Sequence, residues 1–180
     1  MRGSLLAALL GLLVVLAAGK EDLGLQNFNA AQFSGMWYEI ALASNLEHQS
    51  LSPRRKVGAV IVEQNGPHLT LTSVTDHMNR CMKEKNQAVR GNAPGKFKLR
   101  SDSGGKEVIV VATDYNSYAI MNIVLHRGGK PSSVLKLYSR TLEHNEKATE
   151  EFMERAVEQG LSASDVQLLT KDLTCVNLLS

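Results

Sequence analysis

Short apolar runs recur along this chain at steady intervals, each bounded by turn-forming residues. They predict eight strands, over 36–44, 57–64, 68–75, 80–88, 95–101, 107–114, 118–126 and 133–141. The breaks between them carry Asn65-Gly66-Pro67, Asn92-Ala93-Pro94-Gly95, Ser103-Gly104-Gly105, Asn116-Ser117 and Gly128-Gly129-Lys130-Pro131, all combinations that favour turns. Two strands reveal their faces. Leu69 and Leu71 alternate with Thr70 and Thr72, and Phe97 and Leu99 alternate with Lys96, Lys98 and Arg100. A period of two puts one face in a dry interior and the other in water, so Leu69, Leu71, Phe97 and Leu99 are assigned inward. Val108 to Ala112 and Ala119 to Leu125 are apolar on both faces and need cover on both. In strand eight, Val134 to Tyr138 fits neither parity.

The cover comes from the segment after the strands. Phe152, Met153, Ala156 and Val157 recur at helical spacing within 146–159, with Glu150, Glu151, Glu154, Arg155 and Glu158 on the other side. This amphipathic pattern predicts one helix, stopped at Gly160 and packed outside the sheet. Eight closely spaced strands with one flanking helix predict an all-β up-and-down barrel, with a sandwich as the other arrangement. In a meander, successive strands alternate in direction. Counting turns brings the start of strand one, the end of strand six and the end of strand eight to the same pole. Trp37, Tyr115 and Arg140 occupy those three places. The loop over 45–56 is the longest and belongs to the opposite pole, where long loops often serve as lids.

The N-terminus changes the picture of location. A short basic start, an apolar run from Leu5 to Leu16 and the small residues Ala17-Ala18-Gly19 have the order of a secretory signal peptide. The run is shorter than the roughly 20 residues of a membrane span. Residues 1–19 are therefore assigned to the leader and 20–180 to one domain; a retained anchor is the competing assignment. The chain carries 20 basic and 18 acidic residues. Arg2 leaves with the leader, so the mature balance is near neutral and gives no electrostatic footprint for nucleic acid. With no second long apolar segment, no membrane insertion is expected, and the protein is expected in the extracellular space. Cys81 and Cys175 are the two cysteines, and an even count in a secreted chain predicts a disulfide, with two free thiols as the alternative. No Asn-x-Ser/Thr triplet occurs, so N-glycosylation is not expected.

Three local motifs go further than the periodicity. Gly35-x-Trp37 opens strand one, Thr113-Asp114-Tyr115 follows strand six, and Arg140 closes strand eight. In this order and at these separations they resemble the lipocalin family, over about Asn27 to Leu179. The runs Trp37 to Ser44, Ala112 to Ile120, Leu137 to Arg140 and Lys171 to Val176 look like the epididymal-specific lipocalins, a group that includes retinoic-acid-binding proteins. The resemblance implies an eight-stranded antiparallel barrel with a C-terminal helix outside. It also implies a closed end built by Gly35, Trp37, Thr113, Asp114, Tyr115 and Arg140 as structural residues. By the same resemblance, Val60, Val62, Val108, Val110, Met121 and Ile123 point into the cavity beside the four residues assigned by alternation.

A barrel of eight strands can hold one small ligand, and an apolar wall favours a hydrophobic one. The alternative is an interior filled by its own side chains. Ser73 and Asn86 add polar groups to the inner wall. The mouth region carries Arg54, Arg55, Lys56, Arg80, Lys106, Arg127 and Lys130 against Glu47, Asp76 and Asp102. This excess of four positive charges suits an anionic head group, with Arg54 and Arg55 as the candidates. The expected function is transport of a small hydrophobic ligand; the resemblance implies a retinoid-like acid such as retinoic acid and a place in sperm maturation. The rival reading is a protein-interaction module with a closed barrel that acts through its mouth loops. An enzyme is not expected, because a disulfide would consume both thiols. His48, His68, His77, His126 and His144 show no metal-ligand spacing. No cofactor is called for, and the sequence names no cell-surface receptor.

Overall fold

The computed structural model describes residues 24–45, 55–101, 104–127 and 130–180. The leader assignment (1–19) and Arg54 lie outside the described residues. Among the described residues nine strands form: β1 (Gly35–Ala43), β2 (Gly58–Asn65), β3 (His68–His77), β4 (Arg80–Arg90), β5 (Lys96–Ser101), β6 (Gly104–Thr113), β7 (Tyr118–Arg127), β8 (Lys130–Ser139) and β9 (Val166–Leu168). A one-turn helix α1 (Ala30–Phe33) precedes β1, and α2 (Glu146–Glu158) follows β8. Strands β2 to β8 pair in sequence order, all antiparallel, and β1 pairs with both β8 and β2. That double pairing closes the sheet into a barrel.

Strand β1 manages both neighbours by changing partners along its length. Gly35 to Glu39 pair with β2, while Ala41 to Ala43 pair with β9 on the other half of the same edge. The register against β8 shifts between Glu39 and Ala41, and a bulge of this kind bends a strand. A second shift lies in β6, between Val110 and Ala112.

Three buried clusters divide the core. The interior cluster holds Trp37, Val60, Val62, Leu69, Phe97, Leu99, Val108, Val110, Met121 and Ile123, with Phe33 beneath. The second lies between barrel and helix. Ala148, Phe152 and Ala156 of α2 pack on Ile109, Val111, Ile120, Leu135 and Leu137, so β6 and β7 are covered on both faces as their composition requires. Asn145 caps α2, its Oδ1 accepting from the Ala148 amide at 3.1 Å. One expected packing residue does not pack: Val157 is 64% exposed, and Ala148 fills the core face one turn from Phe152. The third cluster seats the C-terminal tail. Cys175 and Val176 lie on Val57, Ala59 and Val74, and the Cys81–Cys175 disulfide holds the tail to β4. The disulfide spans 94 residues of chain.

Strand eight resolves as a division by parity. Leu135 and Leu137 face the helix, whereas Lys136 and Tyr138 line the barrel interior.

Candidate functional site

The lower pole of the barrel is a stopper made by the three motifs. Gly35 has φ of +109°, and a Cβ there would stand 2.9 Å from Arg140 Nη1. Glycine is required both by the backbone and by the approach of that side chain. The Arg140 guanidinium lies 3.7 Å above the Trp37 ring centroid. It donates from Nε to the Tyr115 carbonyl at 3.1 Å and from Nη1 to the Met36 carbonyl at 3.0 Å. From Nη2 it donates to the Gln32 and Ser34 carbonyls, both at 3.0 Å. Burial lowers the Arg140 pKa, opposed by the charge of Asp114. The Trp37 indole N–H donates to the Phe33 carbonyl at 2.8 Å.

Thr113, Asp114 and Tyr115 build the turn that presents this carbonyl. Asp114 Oδ1 accepts from the amides of Asn116, Ser117 and Tyr118, at 3.1, 2.8 and 3.0 Å, while Oδ2 accepts from the Ser117 hydroxyl. Burial pushes the Asp114 carboxyl up, but these hydrogen bonds outweigh it and leave the pKa below the ordinary value. Thr113 Oγ1 donates to the Tyr118 carbonyl at 2.6 Å and accepts from the Tyr115 amide at 2.9 Å. Tyr115 takes a φ of +67°, and its hydroxyl accepts from the Asn29 amide at 3.0 Å. The chain from Leu25 to Phe33 thus runs across the pole. Phe28 packs edge-on against Phe33 and Phe97 at 5.0 and 5.7 Å. This N-terminal strap carries no periodic signal, and the sequence reading did not assign it.

Above the stopper lies a cavity of about 630 Å³. Val60, Val62, Leu69, Leu71, Phe97, Leu99, Val108, Val110, Met121 and Ile123 all stand on its wall. So do Ser73 and Asn86, together with Thr75, His77, Met78 and Asn79 toward the β3–β4 turn. The wall is less apolar than the sequence suggests, because Glu39, Arg55, Glu84, Lys106 and Lys136 also line it.

Two residues counted at the rim sit elsewhere. Asp76 is buried, with Oδ2 accepting from the Lys56 amide at 2.9 Å. Lys106 faces the cavity. The side chains of Arg127 and Lys130 lie outside the described residues. Of the head-group candidates, Arg55 reaches the wall.

There Arg55 meets a group that sequence reasoning missed. Glu39 is 2% exposed. Its Oε1 accepts from Lys136 Nζ at 3.2 Å and Arg55 Nη2 at 3.4 Å. Burial pushes the Glu39 carboxyl up, and the Lys136 ammonium and Arg55 guanidinium together overcome that effect, so its pKa falls below the ordinary value. The Tyr138 phenol is pushed well above its ordinary value, by burial first and by the Glu39 charge second. A signal for Glu39 existed: Trp37 faces inward, and two residues on along a strand returns to the same face. Lys136 had none, since both faces of β8 are covered.

Among the described residues, no cluster of three metal-ligating side chains occurs, and no helix is long and apolar enough to cross a membrane. Both cysteines are joined to each other.

A barrel stoppered at one pole and hollow above it has known counterparts. The family model described as the lipocalin / cytosolic fatty-acid binding protein family matches residues 34–172. Epididymal-specific lipocalin-5 of Mus musculus is 41% identical over 180 residues, spanning 99% of this chain and 94% of that protein. The Rattus norvegicus protein of the same name is 42% identical, over 96% and 92%. Lipocalin-15 of Homo sapiens is 29% identical, over 97% and 96%. Among solved structures, the siderocalin Ex-FABP superposes with a TM-score of 0.71 at 24% identity. That match covers 79% of this chain and 97% of the other, and it bears on the fold alone. Proteins of this kind are generally carriers of small hydrophobic molecules. A family model spanning both the Gly35-x-Trp37 motif and Arg140, and relatives aligned almost end to end, establish that this chain belongs to the lipocalin / cytosolic fatty-acid binding protein family.

Proposed function

We propose that this protein is a secreted carrier that binds a lipophilic acid of retinoid type inside its barrel. The observation that carries this reading is the cavity itself. At about 630 Å³ it falls within the roughly 300–1,000 Å³ of small-molecule sites. Ten apolar side chains assigned from the sequence line it, and each CH₂ of ligand buried there contributes about 0.8 kcal/mol. The basic groups Arg55, Lys106 and Lys136 on the same wall favour a ligand with one anionic end. A closed barrel acting only through its loops would have its interior filled by side chains, and a hollow of this size argues against that alternative.

Secretion is supported by the order of the first 19 residues and by a disulfide suited to an oxidising compartment. The likeness to epididymal-specific lipocalin-5 supports a place in the male reproductive tract and a role in sperm maturation. Binding rather than catalysis is the reading, since the two thiols, the candidate nucleophiles, are joined to each other.

Titration with all-trans-retinoic acid, followed by Trp37 emission and by displacement of a lipophilic fluorescent probe, tests the proposal. Saturable one-to-one binding is expected. If the probe does not bind, or neither retinoic acid nor a long-chain fatty acid displaces it, the carrier reading fails.

A further inference from the structure

The ion pair at Glu39 occupies the part of the cavity wall that an anionic head group would need. Lys136 Nζ and Arg55 Nη2 both approach one oxygen of Glu39, at 3.2 and 3.4 Å, and all three residues line the cavity. Arg55 Nε is buried without a hydrogen-bond partner among the described residues. Burying the Glu39 carboxylate and half-burying two cations beside it is costly, and their pairing often does no more than offset that cost. Packing needs give no reason for charges there, since β1 and β8 could present apolar groups as their neighbours do. Resting on the carrier reading, we propose that Arg55 and Lys136 form the head-group subsite for a lipophilic carboxylate. Glu39 is the competitor built into that subsite, and it takes up a proton when the ligand's carboxylate arrives.

Two carboxylates that share one pair of cations do not ionise independently, because each raises the other's pKa. With the cavity free of ligand, the two cations belong to Glu39 and hold it ionised. A ligand carboxylate drawn to Arg55 and Lys136 weakens their hold on Glu39 and adds a like charge beside it. The complex therefore binds more protons than the free protein, and linkage makes binding tighten as pH falls. The window is bounded below by the ligand's own titration, since a protonated ligand no longer attracts the cations.

The groups facing Glu39 are few. Strand β8 presents Lys136 and Tyr138, the segment before β2 presents Arg55, and β6 presents Lys106. Among the described residues, the remaining titratable groups on the cavity wall are Glu84 of β4 and His77 of β3. His77 and Glu84 are therefore the competing sources of such a pH effect among the described residues: an imidazole gains charge on acidification, and a second carboxylate near the ligand responds to its charge as Glu39 does. Tyr138, pushed well above its ordinary pKa, stays neutral throughout.

The proposal also predicts which ligands are favoured. A neutral alcohol of the same shape fills the same apolar wall without disturbing the ion pair, so its affinity does not depend on Glu39. The acid gains from the cations only as far as Glu39 yields them.

Calorimetry on the full secreted chain with all-trans-retinoic acid and with retinol separates the cases, using buffers of different ionisation heat near pH ~6. The acid is expected to take up a measurable fraction of a proton and to bind on the order of tenfold tighter at pH ~5.5 than at pH ~7.5; retinol is expected to do neither. Glu39→Gln should bind the acid more tightly at the higher pH and lose the proton uptake. Lys136→Met should weaken the acid about tenfold more than retinol. The unsubstituted protein carries the proton-uptake test even if a variant does not fold. Acid binding without proton uptake overturns the proposal, as does a pH dependence that survives Glu39→Gln and disappears in His77→Asn or Glu84→Gln. Retinol binding alone would reject the head-group subsite and, with it, the lipophilic-acid reading, leaving a carrier of neutral lipids; binding of neither retinoid, with no displacement of the lipophilic probe by a long-chain fatty acid, would reject the carrier reading itself.

Discussion

Replacing Arg140 with methionine should unlock the stopper, and the structure sets the size of the effect. Methionine keeps the length and the apolar stem but has no N–H and no charge. The Phe33 carbonyl loses a longer contact at 3.4 Å and keeps the Trp37 indole donor. Three partly buried carbonyls, those of Met36, Ser34 and Tyr115, lose donors held at 3.0, 3.0 and 3.1 Å. Each is worth about 1 kcal/mol when solvent can partly replace the lost partner. The guanidinium at 3.7 Å from the Trp37 ring contributes about 1 kcal/mol more. The Gln32 carbonyl is at an exposed position and is given no weight, since water takes over there. Allowing for rehydration, the expected loss is about 3 kcal/mol, or about 6–12 °C in Tm for a domain of this size. Arg140→Lys should recover part of it, because an ammonium reaches one or two carbonyls but cannot lie flat on the indole. Arg155→Met is the reference: that residue makes an i,i+4 pair with Glu151 at 3.4 Å, worth about 0.3–0.5 kcal/mol. Urea unfolding followed by far-ultraviolet circular dichroism gives the free energies, with Trp37 emission as a second probe of the same pole. If Arg140→Met stays within about 1 kcal/mol of the parent, the contacts to six separate residues do not hold the pole together, and the reasoning fails.

Removing the disulfide by Cys81→Ala with Cys175→Ala releases a 94-residue loop; the chain-entropy model then gives a loss of about 4–5 kcal/mol, read by the same urea titration. A loss near zero would show that the tail's seat on Val57, Ala59 and Val74 is sufficient by itself. Tyr118 donates to Glu151 Oε2 at 2.6 Å, and burial, followed by that bond and the Glu151 charge, pushes its phenol up to about 12. Because the folded value is raised, its stabilising effect is complete below the ordinary tyrosine pKa near 10. It disappears as pH rises from about 10 through about 12. Thermal unfolding across that range should fall more steeply for the parent than for Tyr118→Phe; equal slopes would contradict the assignment.

Much of the barrel is already written in the order of residues along the chain. Leu69 and Leu71 among threonines, and Phe97 and Leu99 among lysines, fix an inner face, because a strand repeats every two residues and only one face is dry. The turn residues divide the chain at nearly the places where the strands end, and Phe152, Met153, Ala156 and Val157 predict a helix by a period of 3.6. Gly35, Trp37, Asp114 and Arg140 are legible because each does a local job that few other residues can do. Other features follow only from what lies beside a residue in space. Val157 fits the helical pattern and still faces water, because the helix touches the barrel along a narrower stripe than its apolar residues cover. The three residues of β9 join β1 by backbone hydrogen bonds, which any sequence can make. The strap from Leu25 to Phe33 is held by contacts with Val110, Tyr115 and Arg140, all far along the chain from it. Strand β8 has apolar groups on both faces, so alternation cannot say which side holds Lys136. That is decided by its pairing with β1, where the register shift after Glu39 places a carboxylate, an ammonium and the Arg55 guanidinium within reach of one another. Periodicity measures burial and is blind to charge pairing. A buried carboxylate held by two half-buried cations, the three coming from three segments, is therefore a property of the closed barrel, and no single stretch of the sequence contains it.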